Sequence, residues 1–206
     1  MADNNSLVRS NSQITRNLQK SLQVGSLDDL VRVRREGNIF LLLDCSGSMS
    51  STINNGKRRI TGLRETVRSI QAERNDNPLK MVQFGVGHEP NFITSIPDPS
   101  GGTPLHLAID FARANRAGRA IVISDGIPDS QGAALEAASR FGGRIDVVFV
   151  GNPGEPGERF LKQLAESTGG ESFTGDLSDP KMLAGKVTLL LTTGSAEPDD
   201  EDEEEL

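Results

Sequence analysis

Apolar and polar positions alternate in blocks along residues 37–194, and the period of the pattern changes from one block to the next. The stretch "NIFLLLD" (38–44) is a continuous apolar run, which is typical of a strand covered on both faces. The apolar residues that follow it recur at helical spacing: Ile60, Leu63, Val67 and Ile70. These two blocks predict one buried strand followed by one amphipathic helix.

The same rhythm continues along the chain. Further strands are predicted at 80–86, 91–96, 119–126, 144–151 and 171–175, and further helices at 103–116, 129–143, 155–170 and 180–193. Only the short stretch "GHEP" separates the second and third strands, which favours a hairpin with one antiparallel edge strand. We therefore predict a doubly wound α/β fold, with a mostly parallel central sheet and helices on both faces. In such folds ligands bind at the carboxyl ends of the strands.

The two ends of the chain differ from this central part. Ile14, Leu18 and Leu22 share a helical stripe, which predicts a helical N-terminal extension over residues 1–36 that packs on the domain or on a partner. The last ten residues, "EPDDEDEEEL", carry eight carboxylates, so the formal charge of -7 becomes +1 without them (-7 + 8). We expect residues 195–206 to be a disordered acidic tail, which leaves one α/β domain at 37–194.

The composition limits which cellular compartment and which class of binding partner are expected. Cys45 is the only cysteine, so no disulfide can form within the chain. The polar N-terminus lacks the apolar stretch of a secretory signal, and the longest apolar runs are too short to cross a bilayer. A cytoplasmic location without membrane attachment is the resulting expectation. Tryptophan and tyrosine are absent, which argues against a module that stacks nucleic-acid bases.

Oxygen-bearing side chains stand where three predicted elements meet their loops. Asp44, Ser46 and Ser48 follow the first strand at alternate positions, Thr103 opens a helix in "GGTP", and Asp125 ends a strand in "SDG". Such hard oxygen donors suit Mg²⁺, or Mn²⁺ and Ca²⁺, rather than zinc. Each motif taken alone also has an ordinary interpretation, as a polar turn, a helix cap followed by proline, and an Asp-Gly turn.

The order Asp-x-Ser-x-Ser, then Thr, then Asp resembles the von Willebrand factor A (vWA) domain, a Rossmann-like fold, over about residues 38–193. The resemblance implies an intact metal-ion-dependent adhesion site of the bacterial, intracellular type. Ser46, Ser48 and Thr103 would give hydroxyl oxygens to the metal, and Asp44 and Asp125 carboxylates. It further implies a protein-binding adaptor rather than an enzyme. A partner protein would supply an Asp or Glu to the metal, and small intracellular relatives often work with an AAA+ ATPase or in stress-response complexes.

Three alternatives remain at this point. A phosphatase of the haloacid-dehalogenase type would need a second carboxylate where Ser46 stands. A serine hydrolase would need a base, for which only His88 and His106 are available. The chain could instead be a scaffold that binds a basic partner through its acidic tail.

Two neighbouring features have open interpretations. Asp129 is predicted to cap the helix that starts at 130, with a hydrogen bond to metal-bound water as the alternative. The basic stretch "NNGKRRI" (54–60) is predicted to be a solvated helix start, or else a patch that attracts an acidic partner segment.

Overall fold

The computed structural model describes residues 38–74, 79–87 and 89–192. The predicted helical extension, the predicted acidic tail and His88 lie outside the described residues, so those expectations stay predictions. Within the described part, no helix is both long enough and apolar enough to cross a membrane.

Six strands and five α-helices alternate along the described chain. The strands are β1 (Ile39–Asp44), β2 (Lys80–Phe84), β3 (Asn91–Ile93), β4 (Arg119–Ser124), β5 (Arg144–Phe149) and β6 (Ser172–Thr174). The helices are α1 (Arg59–Glu73), α2 (Leu105–Ala114), α3 (Gln131–Phe141), α4 (Pro156–Glu166) and α5 (Pro180–Thr192). A short 3₁₀ turn, Gly47–Ser50, follows β1 and was not predicted from the sequence.

The strands form one sheet in the order β3-β2-β1-β4-β5-β6. All neighbours are parallel except β2 and β3, which pair antiparallel at the edge. This arrangement confirms the predicted doubly wound α/β fold with one antiparallel edge strand. The order reverses at β1, because the chain runs from β1 to β2 on one side and later returns to β4 on the other side.

Two apolar layers cover the two faces of the sheet. Phe40 and Leu42 of β1 face the core that α2, α3 and α4 cover, whereas Leu41 and Leu43 face the core under α1 and α5. Strand side chains point alternately to opposite faces, so a strand buried on both sides must be apolar throughout. This requirement explains the continuous run "IFLLL" before Asp44.

Candidate metal centre

The reversal of strand order places the carboxyl ends of β1 and β4 side by side. Leu43 pairs with Ile123, so Asp44, the last residue of β1, comes next to Ser124, the last residue of β4. Asp125 follows directly. Crevices of this kind, at the switch point of an open α/β sheet, are where ligands bind in such folds.

Four of the five predicted site residues belong to one hydrogen-bond network. The Asp44 carboxylate accepts from the Ser46 backbone N–H at 2.8 Å through Oδ1 and from the Ser124 hydroxyl at 2.5 Å through Oδ2. The Ser46 and Ser48 hydroxyls lie 2.9 Å apart, and Ser48 donates to Asp125 Oδ1 at 2.7 Å. Ser46 and Ser48 therefore connect the two carboxylates across the crevice, through the Ser46 backbone N–H on the Asp44 side and the Ser48 hydroxyl on the Asp125 side.

Thr103 lies on the neighbouring loop and is not part of this network. That loop is joined to the Asp44 loop by a bond from the Gly47 N–H to the Gly101 carbonyl at 3.0 Å. Within the described part of the chain the Thr103 hydroxyl makes no hydrogen bond, and the residue is 9% exposed. The Thr103 oxygen is thus left available beside the crevice.

Asp129 fixes the Thr103 loop rather than capping the next helix. Its Oδ1 accepts from the Thr103 N–H at 2.8 Å, and its own N–H donates to the Thr103 carbonyl at 3.0 Å. The capping prediction is wrong, because the Ser130 hydroxyl accepts from the Ala133 N–H and caps α3. One bond through the carboxylate and one through the backbone N–H hold Asp129 to a residue 26 positions away, which sequence spacing could not indicate.

Two glycines permit the close approach of the loops around Asp44. Gly85 follows β2 at φ +110°, and a Cβ there would lie 2.5 Å from the Ser46 nitrogen and 2.8 Å from the Ser46 Cα. Gly101 has φ +74°, and a Cβ there would clash with the Gly85 carbonyl oxygen. Both positions therefore require glycine for two reasons: the backbone is left-handed, and there is no space for a Cβ atom.

We expect Gly85→Ala to displace the Ser46 backbone and to lower the free energy of unfolding by about 1–3 kcal/mol. Thermal melting of the purified protein would measure this loss. Gly56→Ala is the matched control, because Gly56 also has a positive φ (+78°) but has no atom within 4 Å of an added Cβ. Equal losses in the two variants would show that backbone strain alone, and not the contact with Ser46, sets the cost.

The electrostatics of the crevice favour the presence of a cation. Asp44 is completely buried, and burial together with the nearby Asp125 carboxylate raises the pKa of Asp44 from 3.8 to about 6. Hydrogen bonds from Ser124 and Ser46 act in the opposite direction but do not cancel the burial. Because this pKa still lies below 7, Asp44 is ionised at neutral pH, and its buried charge lies close to the Asp125 carboxylate.

The basic stretch at 54–60 divides into outward and inward residues. Lys57 pairs with Glu65 on the surface, whereas Arg59 points inward and donates from Nη1 to Asp125 Oδ2 at 2.8 Å. Neither interpretation of the stretch, as a solvated helix start or as a patch for an acidic partner segment, included this contact. A signal was present, because Arg59 lies four residues before the buried Leu63 on the same face of α1.

Among the residues that the structure describes, the groups around the crevice form no nucleophile–base pair. Burial and the Asp44 carboxylate raise the pKa of the Cys45 thiol to about 12, so a thiolate is not available at neutral pH. Among the described residues no imidazole hydrogen-bonds to Ser46 or Ser48, and the Nδ1 atom of His106 is buried without a partner. His106 is partly buried.

The donor set fits a hard divalent cation. It consists of two carboxylates and neutral hydroxyls, the oxygen ligands that suit Mg²⁺ and Mn²⁺. Within the residues that the structure describes, no group of three or more His, Cys, Asp or Glu side chains could hold a metal. A cation at Asp44 and Asp125 would consequently depend on the hydroxyls and on water for the rest of its shell.

Comparison with solved structures identifies the fold. A von Willebrand factor type A protein from Catenulispora acidiphila superposes with a TM-score of 0.58 at 16% identity, covering 76% of this chain and 42% of that one. The vWF domain of the type V pili tip protein Mfa5 from Porphyromonas gingivalis gives 0.54 at 11% identity, covering 80% and 97%. The proximal thread matrix protein 1 of the mussel byssus gives 0.54 at 16% identity, covering 74% and 44%.

The described domain therefore has a vWA-like fold. The chain spans less than half the length of two of these three structures. No family model matches the sequence, and neither does any curated protein. Sequence identities of 11–16% support the assignment of the fold only. The chemistry of the site depends on the residues of this chain.

Proposed function

We propose that this chain is a metal-dependent protein-binding module. Asp44, Ser46, Ser48, Thr103 and Asp125 would hold a divalent cation, Mg²⁺ or else Mn²⁺ or Ca²⁺, and a carboxylate of a partner protein would complete its shell. The observation that carries the proposal is the pair of buried carboxylates, Asp44 and Asp125, which Ser46 and Ser48 connect through one backbone N–H and two hydroxyls. The vWA-like fold is consistent with a role in protein interaction.

Each group of the site has a distinct part in this proposal. The carboxylates attract the cation, and the uncharged hydroxyls supply oxygen without adding negative charge. When bound, the cation would supply Lewis acidity toward one more anionic oxygen. Ser124 and the Ser46 N–H fix the orientation of the Asp44 carboxylate, and Asp129 positions the Thr103 loop. These groups prepare the site before any ligand arrives.

The phosphatase alternative lacks its proton-transfer group. In that chemistry a second carboxylate two residues after the nucleophile transfers the proton, whereas here Ser46 occupies the position. The Ser46 hydroxyl lies against the Ser48 hydroxyl, which in turn faces Asp125. A hydroxyl does not exchange a proton with a leaving group at neutral pH as a carboxyl group does. We therefore favour binding over hydrolysis.

The partner is defined by its chemistry, namely an exposed Asp or Glu that can reach the crevice. An AAA+ ATPase or a stress-response complex is the class that we would test first. The acidic tail offers the alternative mode, in which a basic partner binds outside the metal. The two modes separate experimentally, because attraction to the tail weakens with salt and ignores a chelator, whereas binding through the metal is lost in EDTA.

Metal binding by the purified protein tests the proposal directly. We expect Ser48→Ala to weaken Mn²⁺ binding by about tenfold in isothermal titration calorimetry, since one oxygen donor and the link to Asp125 are both lost. Ser50→Ala is the matched control, because Ser50 is an exposed hydroxyl of the same 3₁₀ turn. The absence of any Mn²⁺ or Mg²⁺ binding by the unaltered protein would refute the proposal.

A partner found by capture on the metal-loaded protein would then be tested with the same pair of variants. Its binding should be lost in EDTA and with Ser48→Ala at limiting metal, and it should persist with Ser50→Ala. Binding that survives EDTA and is lost for a chain ending at residue 194 would assign the interaction to the acidic tail.

A further inference from the structure

Arg59 places a second cation inside the crevice. Its Nη1 donates to Asp125 Oδ2 at 2.8 Å, and the exposed fractions of the two side chains are 10% and 0%. The Arg59 backbone N–H donates to the Ser51 carbonyl at 2.9 Å, which ties the first residue of α1 to the end of the 3₁₀ turn. Arg59 is thus held at the site by its backbone bond to Ser51 and by its side-chain bond to Asp125.

The two oxygens of Asp125 are both engaged. Oδ1 accepts from the Ser48 hydroxyl, and Oδ2 accepts from Arg59. Arg59 makes no other side-chain hydrogen bond within the described residues, and its Nε is buried without a partner. Of the five N–H donors of a guanidinium, the structure gives Arg59 a hydrogen bond to Asp125 alone within the described residues. The charge of Arg59 is therefore directed at Asp125.

We infer that Arg59 is a built-in counter-cation that lowers the affinity of the centre for the metal and raises the affinity of the loaded centre for an anionic ligand. This inference rests on the proposed function, because it concerns the same site. It assigns to Arg59 a positioning and charge-setting role, with no contact to the ligand implied.

The sum of formal charges predicts the direction of change for both the cation affinity and the anion affinity. Asp44 and Asp125 contribute two negative charges and Arg59 one positive charge, so the metal-free centre carries -1 with Arg59 and -2 without it. A divalent cation changes these sums to +1 and 0. In a buried site each unit of charge within a few ångströms changes a binding energy by more than it does in water. Removal of the guanidinium should therefore tighten cation binding and weaken anion binding.

The test compares Arg59→Gln with Arg58→Gln in the full chain. Glutamine keeps a hydrogen-bond donor near Asp125 and removes the charge. Arg58 is the matched control, since it precedes Arg59 directly and is half exposed, with Asp98 4.0 Å away. We expect Arg59→Gln to bind Mn²⁺ at least about tenfold more tightly in calorimetry at pH 7.5, and Arg58→Gln to stay within about twofold of the unaltered protein.

The second readout uses acetate as the carboxylate probe. Acetate is titrated into the Mn²⁺-loaded proteins, and the loss of metal-bound water is followed by water-proton relaxation. We expect acetate to bind Arg59→Gln at least about threefold more weakly than the unaltered protein. Opposite changes in cation and anion affinity are the signature of a charge effect, whereas a purely structural role for Arg59 would weaken both.

The outcomes separate this inference from the proposed function. If the unaltered protein binds no Mn²⁺, the proposed function fails and the inference with it. If the unaltered protein binds Mn²⁺ but Arg59→Gln binds it equally or more weakly, the inference alone is overturned. Should Arg59→Gln unfold without metal, refolding on addition of Mn²⁺, followed by circular dichroism, would support it, because the ion then replaces the guanidinium. A chain that stays unfolded in Mn²⁺ would overturn it.

Discussion

Asp44→Asn is expected to remove divalent-cation binding and, in the absence of metal, to make the protein more stable at pH 7.5. The carboxylate is completely buried, lies near Asp125, and carries its charge at a cost when no cation is present. Asparagine keeps the carbonyl oxygen that accepts from the Ser46 N–H, and the Ser124 hydroxyl can rotate to accept from the new amide. The substitution therefore removes the charge and retains the hydrogen bonds.

The sign of the pH dependence follows from the direction of the pKa shift. The pKa of Asp44 is raised by burial from 3.8 to about 6, so between these two values the folded protein holds a proton that the unfolded chain has released. The metal-free protein consequently loses stability as the pH rises from about 4 to about 6, and the loss persists above that. A shift of this size corresponds to roughly 3 kcal/mol.

Denaturant unfolding in EDTA at pH 5 and pH 7.5 would measure both effects. We expect Asp44→Asn to gain about 1–3 kcal/mol at pH 7.5 and to have a flatter pH profile than the unaltered protein. In calorimetry the variant should bind Mn²⁺ at least about a hundredfold more weakly, since half of the acidic ligands are lost. Asp98→Asn is the control, because this carboxylate is 81% exposed and pairs with Arg64 on the surface. A metal-free Asp44→Asn protein that is less stable than the unaltered one would contradict the assignment of Asp44 as an uncompensated charge.

The parts of this structure that were predictable from the sequence depend on local periodicity and on one general rule. The apolar run before Asp44 and the run before Asp125 marked two buried strands, and parallel strands end at the same edge of a sheet. The proximity of the two carboxylates follows from those two facts. The antiparallel edge strand was predictable in the same way, because the loop between β2 and β3 is too short for a crossover.

The contacts that were missed join residues far apart in sequence through side chains that have ordinary local alternatives. Arg59 and Asp125 are 66 positions apart, and Asp129 and Thr103 are 26 apart. An arginine at a helix start and an aspartate before a helix each satisfy a local rule, so the pattern favoured the solvated patch and the helix cap. Which alternative prevails depends on how closely the loops approach, and that distance depends on Gly85 and Gly101.

A second buried ion-pair network lies at the opposite end of the sheet. Asp146 of β5 is fully buried and accepts from Arg119 Nε at 2.6 Å, from Arg144 Nε at 2.7 Å and from the Glu171 N–H at 2.9 Å. Asp146 pairs with Ile121 of β4, four positions before Asp125, so about 13 Å of strand separates it from the candidate metal centre.

Asp146→Ala is expected to lower the free energy of unfolding by about 3–5 kcal/mol, because it leaves the Arg119 guanidinium buried without a counter-charge. The Nη1 and Nη2 atoms of Arg119 are already buried without partners, so no other acceptor compensates within the described residues. Denaturant unfolding measures the loss. Glu171→Ala is the control, since its pair with Arg144 is largely exposed and should contribute within about 1 kcal/mol.

The same variant distinguishes a structural ion pair from a charge that sets ligand affinity. Below its melting temperature, Asp146→Ala should bind Mn²⁺ within about tenfold of the unaltered protein, because its charge change lies about 13 Å of strand away from the crevice. Asp44→Asn should show the reverse combination, with stability gained and metal binding lost. If Asp146→Ala were folded and yet unable to bind Mn²⁺, the two ends of the sheet would be coupled, and the affinity of the centre could not be assigned to the charges of Asp44, Asp125 and Arg59 alone.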